Sequence, residues 1–177
     1  GDDTEDTANN FPNMHDGLNW SDASSVKMTW NGAVTYCENL GGRLLTISEL
    51  RTLIQNCPVT ETGGECGAVD DCLSNANCWD DQCFGCEYSG SGKYSVFGDT
   101  EWLWSSSEEQ DSTGYAWLVG FYLGFVHFDI KTDEDCHVRC VRSFVTLRIK
   151  KDQCRYLFVS FPVTPAESSM NENIVKF

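Results

Sequence analysis

Six side chains that offer oxygen to a hard cation fall within twelve residues: Asp70, Asp71, Asn75, Asn77, Asp80 and Asp81. Calcium takes about six to eight oxygens, many of them from carboxylates. Asp70, Asp71, Asp80 and Asp81 are therefore candidate calcium ligands, and the competing reading is a solvated acidic face. A second acidic group, Asp129, Asp133, Glu134 and Asp135, runs up to Cys136. Trp79-Asp-Asp81 sets an indole beside two carboxylates. An aromatic ring stacks on the apolar face of a sugar, and carboxylates accept its hydroxyl protons. Trp79, Asp80, Asp81 and Trp117 are the candidate ligand-binding residues on that chemistry.

The chain holds 10 cysteines. A dense, even set points to an oxidising compartment and a disulfide framework. Zinc is the competitor through Cys78-x4-Cys83-x2-Cys86, but the 3 histidines form no ligand pair. Cys83-x-x-Cys86 has thioredoxin spacing without a βαβ context, so both read as structural half-cystines. His15, His127 and His137 stand apart, and no Ser-His-Asp or Cys-His arrangement nominates a nucleophile. Ser91-Gly-Lys93 lacks the earlier glycine and the following hydroxyl of a phosphate loop. No enzymatic activity is expected.

These residues need elements to position them. Trp102-Leu-Trp-Ser-Ser-Ser107, Ala116-Trp-Leu-Val-Gly-Phe121, Gly124-Phe-Val-His-Phe128 and Val138-Arg-Cys-Val-Arg142 are strand-length runs, rich in aromatic and β-branched residues. In Phe125–Ile130 the alternation puts Val126, Phe128 and Ile130 on one face and Phe125, His127 and Asp129 on the other. Tyr122-Leu-Gly124 reads as a hairpin turn, because glycine accepts positive φ. Upstream, Asn31–Leu40 has Ala33, Cys37 and Leu40 at helical spacing, with Gly41-Gly42 ending it. Thr46-Ile-Ser-Glu49 is a capping box, and the second helix is expected to run to about Cys57-Pro58. Residues 58–95 show no period and carry, with Cys57, six cysteines in thirty residues. They read as a long insert held by local disulfides.

Charge bounds the partners. The 27 acidic and 12 basic residues leave a net −15, which repels nucleic-acid phosphates and anionic membranes. Cations, basic partners and neutral sugars suit such a surface. No apolar run is long enough to span a bilayer. The opening Gly1-Asp-Asp-Thr reads as a processed terminus.

Two sets of motifs carry a resemblance. Trp30-x-x-Ala33-x-x-Tyr36-Cys37 and Gly42-Arg-Leu-x-Thr46-x-x-Glu49-Leu50 resemble the opening of the Lcl C-terminal domain family and the related FISUMP domains. Trp104-Ser-Ser-Ser, Ala116-Trp-x-Val-x-Phe-x-x-Gly124 and Val138-Arg-Cys-Val-Arg142 are similar to its closing half. The likeness spans residues 16–57 and 95–143, and it extends distantly to formylglycine-generating enzymes. It implies a bacterial surface module of α+β, C-type lectin-like fold: two helices, an antiparallel closing sheet and a disulfide-rich long-loop insert. It also implies that Cys37 pairs with Cys140. The sugar-binding tripeptides of that superfamily are missing here.

The chain then divides into an acidic arm (1–15), a C-type lectin-like domain (16–143) containing the insert (58–95), and a β-rich extension (144–177). Cys57, Cys66, Cys72, Cys78, Cys83 and Cys86 are expected to pair among themselves, leaving Cys136 for Cys154. The expected function is adhesion or binding of a glycan or surface polymer by a secreted module. The alternative is a structural subunit of an extracellular filament. In that reading the acidic arm (1–10) lies along the basic tail of a neighbour at Arg148, Lys150, Lys151 and Arg155, with Phe158, Phe161 and Phe177 supplying burial.

Overall fold

The computed structural model describes residues 10–146 and 160–162. Its order is β1 (Asn13–His15), β2 (Leu18–Trp20), α1 (Trp30–Asn39), β3 (Arg43–Leu44), α2 (Ile47–Arg51), α3 (Asn75–Cys78), a 3₁₀ turn (Asp81–Phe84), β4 (Trp102–Glu108), β5 (Tyr115–Gly120), β6 (Phe125–Ile130), β7 (Cys140–Arg142), β8 (Phe144–Thr146) and β9 (Ser160–Pro162). Among the described residues the strands form sheets in the orders β1-β2-β7-β3, β4-β5-β6 and β8-β9. This is a mixed helix-and-sheet architecture.

Local chemistry starts both main helices. Thr29 accepts from the Gly32 amide at the start of α1. At α2 the Thr46 side chain accepts from the Glu49 amide while Glu49 accepts from the Thr46 amide, completing the expected capping box. α2 stops at Arg51, short of the expected end near Cys57. The backbone beyond it is bonded to the end of the insert instead: Gln55 N donates to Tyr94 O (3.1 Å) and Val96 N to Leu53 O (2.9 Å). The N-terminal hairpin had no period to announce it. Phe11 is buried and Asn13–His15 pairs with β2, so residues 11–15 pack on the body although they read as arm.

The core lies on both faces of the β4-β5-β6 sheet. Leu103, Trp117, Val119 and Val126 join Trp20, Leu45, Ile47, Leu50 and Leu53 on one side. Trp104, Ala116 and Leu118 meet Ala33, Cys37, Val138 and Cys140 on the other. β5 is thus buried from Ala116 to Gly120 because it is covered twice. Of the expected inward residues of β6, Val126 is buried, Phe128 half-buried and Ile130 40% exposed, where the strand runs out from under the core.

Covalent links follow the expected grouping. Cys37–Cys140 ties α1 to β7. The six insert cysteines pair as Cys57–Cys86, Cys66–Cys83 and Cys72–Cys78. Cys136 is a free, buried thiol, so the bridge to Cys154 is not formed here; Cys154 lies outside the described residues. So do the arm through residue 9 and most of the tail that the self-association reading used. Of the tail, Phe144–Thr146 and Ser160–Pro162 pair as β8 and β9, with Phe144 opposite Pro162, and the rest of the two strand-like runs lies outside the described residues.

The insert is also organised from below by Arg51, which is 2% exposed. Its Nε donates to Thr60 O (2.9 Å), Nη1 to Cys66 O (3.0 Å) and Ala68 O (2.6 Å), and Nη2 to Glu61 O (2.9 Å). Burial lowers its pKa from the ordinary arginine value, yet a guanidinium stays charged. Arg51→Met keeps the packing volume and orphans these carbonyls. We expect a loss on the order of 3 kcal/mol in urea unfolding. A loss below about 0.5 kcal/mol, the level of an ordinary surface change, rejects this role.

Candidate functional site

The side of β6 away from the first core carries Phe125, His127 and Asp129. In the sheet register Phe125 lies opposite Gly120, which lies opposite Trp102, while His127 lies opposite Leu118. Gly120 decides what the Trp102 ring can do. A Cβ there would stand 2.8 Å from the Trp102 ring. With none, the indole lies across β5 and reaches Phe125, centroid to centroid 5.5 Å. It also meets Tyr122 edge-on at 5.1 Å.

The insert adds two more rings to this face. Cys86 N donates to Leu123 O (2.8 Å) and Ser89 N to Tyr122 O (2.7 Å), so the insert lies along the β5–β6 turn. Two glycines permit the close approach. Gly124 turns the hairpin at φ +64, and Gly85 at φ +79 sits where a Cβ would come 2.4 Å from Leu123 O. Phe84 thereby stacks on Phe125 (5.4 Å, 13°) and Tyr88 meets Tyr122 (5.9 Å). Tyr88, Tyr122, Trp102, Phe125 and Phe84 form one run of touching rings. Phe84 is 48% and Tyr88 74% exposed. The two ends of the run are thus open to solvent, while Tyr122, Trp102 and Phe125 between them are half-buried.

Five of the 6 tryptophans spend their indole N–H on a backbone carbonyl: Trp20 on His15, Trp30 on Ser105, Trp79 on Val126, Trp104 on Met28 and Trp117 on Leu73. Trp102 alone makes no such bond among the described residues.

Beside Trp102 the face falls into a cleft of about 240 Å³ lined by Lys27, Trp102, His127, Asp129, Asp135 and Cys136. His127 stacks on Phe125 (4.8 Å, 15°), and its buried Nδ1 has no hydrogen-bond partner. Burial lowers the imidazole pKa, and Asp129 works against that by raising it. Burial pushes the Cys136 thiol up to about 12, with Asp129, Asp135 and Asp133 adding to the rise and Lys27 opposing it. Burial likewise raises the Tyr122 phenol.

The sequence-derived site residues end up elsewhere. Trp117 is fully buried in the first core, where Leu73 of the insert covers it, so it cannot meet a ligand. Trp79 is half-buried and guards the free edge of β6 through its bond to Val126 O, touching the aromatic face only through Phe84 and His127. Asp80 is turned to the Gln82 amide and Asp81 is exposed in the same 3₁₀ turn. The calcium set Asp70, Asp71, Asp80 and Asp81 does not converge. Among the described residues no three Asp, Glu, His or Cys side chains form a cation site. The carboxylates are used locally instead: Asp70 accepts from Ser48 N, Asp111 from Ser74 Oγ and Ala76 N, and Glu109 from Asn75 N. Trp102, Tyr122, Phe125, Phe84 and Tyr88 were not singled out from sequence, although the Phe125-x-His127-x-Asp129 alternation pointed to this face.

The described residues thus form a mixed helix-and-sheet module held by four disulfides, with a run of aromatic rings along one face of its β4-β5-β6 sheet. The Lcl C-terminal domain family matches residues 12–142, and the chain belongs to that family. No curated protein and no solved structure matches it.

Two measurements check the electrostatics. In NMR titration His127 should take its proton below the ordinary 6.5, and Asp129→Asn should lower that point further, because it removes the group that raises it. The folded pKa is depressed, so this imidazole's contribution is present above the unfolded pKa and fades as pH falls through it. An unshifted value, or a rise in Asp129→Asn, contradicts the assignment. Alkylation of Cys136 near neutral pH should need unfolding first, since the thiolate is the reactive form. Modification of the native chain at the rate of a free thiol would show the opposite.

Proposed function

We propose that this chain is an extracellular or surface-displayed binding module that holds a glycan or surface polymer free of negative charge across the Tyr88-Tyr122-Trp102-Phe125-Phe84 face. The carrying observation is the run of rings, exposed at both ends, with centroids 5.1 to 5.9 Å apart and with Asp129 and Asp135 in the cleft beside Trp102. Rings in a row offer sugar faces successive stacking partners, and carboxylates accept hydroxyl protons. A net charge of −15 opposes polyanions.

Three features support a C-type lectin-like fold: the helix-to-closing-strand disulfide, the long stapled insert and the antiparallel β4-β5-β6 sheet. Four disulfides favour an oxidising compartment, and among the described residues no helix is long and apolar enough to cross a membrane. A role as an enzyme of the formylglycine-generating type is disfavoured by the fate of its cysteines. Cys140 is bridged, and the Cys136 thiol is held far from its reactive form.

A glycan array run with and without calcium should give binders among uncharged or cationic polymers. Gly120→Ala, which forces Trp102 off its seat, and the double change Phe84→Ala with Tyr88→Ala should each weaken the best binder about tenfold or more. Their melting temperatures should stay close to that of the parent. An empty array in both conditions, or full binding by both variants, would sink the reading.

A further inference from the structure

The cleft beside Trp102 says more about the ligand than the ring face does. It is too small for a drug-sized molecule and suits one saccharide unit or one projecting group. One wall is the Trp102 indole, a surface that attracts cations through its ring quadrupole. Asp129 and Asp135 line the same cleft, and Asp133 is close enough to act on the Cys136 thiol that also lines it.

The cations at hand are already matched. Lys27 at the rim faces Glu101 (3.6 Å), and Lys131 pairs with Glu108 and lies over the Trp30 ring (4.6 Å). Asp129, Asp133 and Asp135 take part in none of the ion pairs found among the described residues. The field in the cleft is therefore negative. Burial is the main cause of the rise of the Cys136 thiol, and the three carboxylates add to it while Lys27 opposes them. The carboxylates do not close on a common point as metal ligands do. They border a space instead, and that suits a cation with several hydrogen-bond donors and its own carbon frame. His127 adds a buried ring nitrogen without a partner.

Resting on the polymer-binding reading above, we propose that the cleft selects an amine-bearing sugar, a 2-amino-2-deoxyhexose unit whose ammonium group lies between Trp102 and the Asp129 and Asp135 carboxylates. The neighbouring rings, Phe125 and Tyr122, take the adjacent units of the polymer.

The test compares three hexasaccharides of one length by calorimetry: a β-1,4-glucosamine hexamer, its fully N-acetylated form and the glucose analogue cellohexaose. The amine form should bind at least about tenfold more tightly than either of the others, and the advantage should shrink in added salt. Asp135 is exposed, so Asp135→Asn leaves the fold intact and should bring the ratio of the amine to the acetylated form close to one. Lys27→Ala should keep or widen the preference. Equal affinity for all three overturns the amine inference and leaves the polymer-binding reading standing. A preference that survives Asp135→Asn also overturns it, because the ammonium group then sits elsewhere. Failure of all three to bind, while the array yields a different binder, again removes the amine inference alone. If the array is empty too, both fall.

Discussion

A charged guanidinium, with no carboxylate partner among the described residues, sits at the base of the insert, and the form of the aromatic face depends on it. Arg51 faces four backbone carbonyls, from Thr60, Glu61, Cys66 and Ala68. A buried cation is costly unless its donors are all engaged, and buried carbonyls are costly unless each has a donor. Each side solves the other's problem. Arginine is suited to this because its planar fork presents several donors at fixed angles, where a lysine ammonium would satisfy fewer carbonyls spread over this arc. A segment with no helical or strand ladder thus obtains a fixed path, with Cys66–Cys83 and Cys57–Cys86 closing it covalently.

From that base the path leads to the aromatic face through backbone contacts. The insert's start is held by Arg51. Its middle caps against the end of β4, where Glu109 and Asp111 accept from the amides that open α3. Its end lies along the β5–β6 turn, close enough that two glycines are required. Phe84 and Tyr88 reach the sheet's aromatic residues only because all three anchors agree. The same geometry explains why Trp79 is not free to bind: the edge of β6 needs a cover, and the Trp79 indole supplies both the donor and the bulk.

What could be read from sequence was what depends on near neighbours. The capping box at Thr46 and Glu49, the strand runs of β4 to β7 and the turn at Gly124 are local rules, and each was legible. The grouping of the six insert cysteines followed from their density, and the Cys37–Cys140 bridge from family likeness. Arg51 was invisible because carbonyl partners have no residue identity, so a lone arginine on a short helix reads as solvated. Trp117 was misread as ligand-facing because its exposure is decided by Leu73, 44 residues away. The acidic runs were misread as a calcium set because closeness in sequence says nothing about convergence. Asp70 and Asp80 were each turned to a nearby backbone amide before they could meet. Trp102 emerges as a site residue only in the register, because the empty place at Gly120 is what lets its ring lie flat.

The shape of the face also constrains how it can work. A row of rings on a sheet surface is shallow, and the cleft beside Trp102 offers enclosure. A single sugar therefore meets one ring or the cleft, and its few contacts must overcome the full loss of rotational and translational freedom. A polymer crosses several rings at once, and each further unit binds as an intramolecular event at high effective concentration. In the proposed function this architecture favours chains over free monosaccharides, with selection at one enclosed position and general hold along the open row. In the same proposal the net charge of −15 adds a long-range bias that favours cationic polymers over polyanions before any ring is touched. Salt would erode that bias first and leave the stacking, so the selecting cleft and the holding row are separable by ionic strength as well as by position.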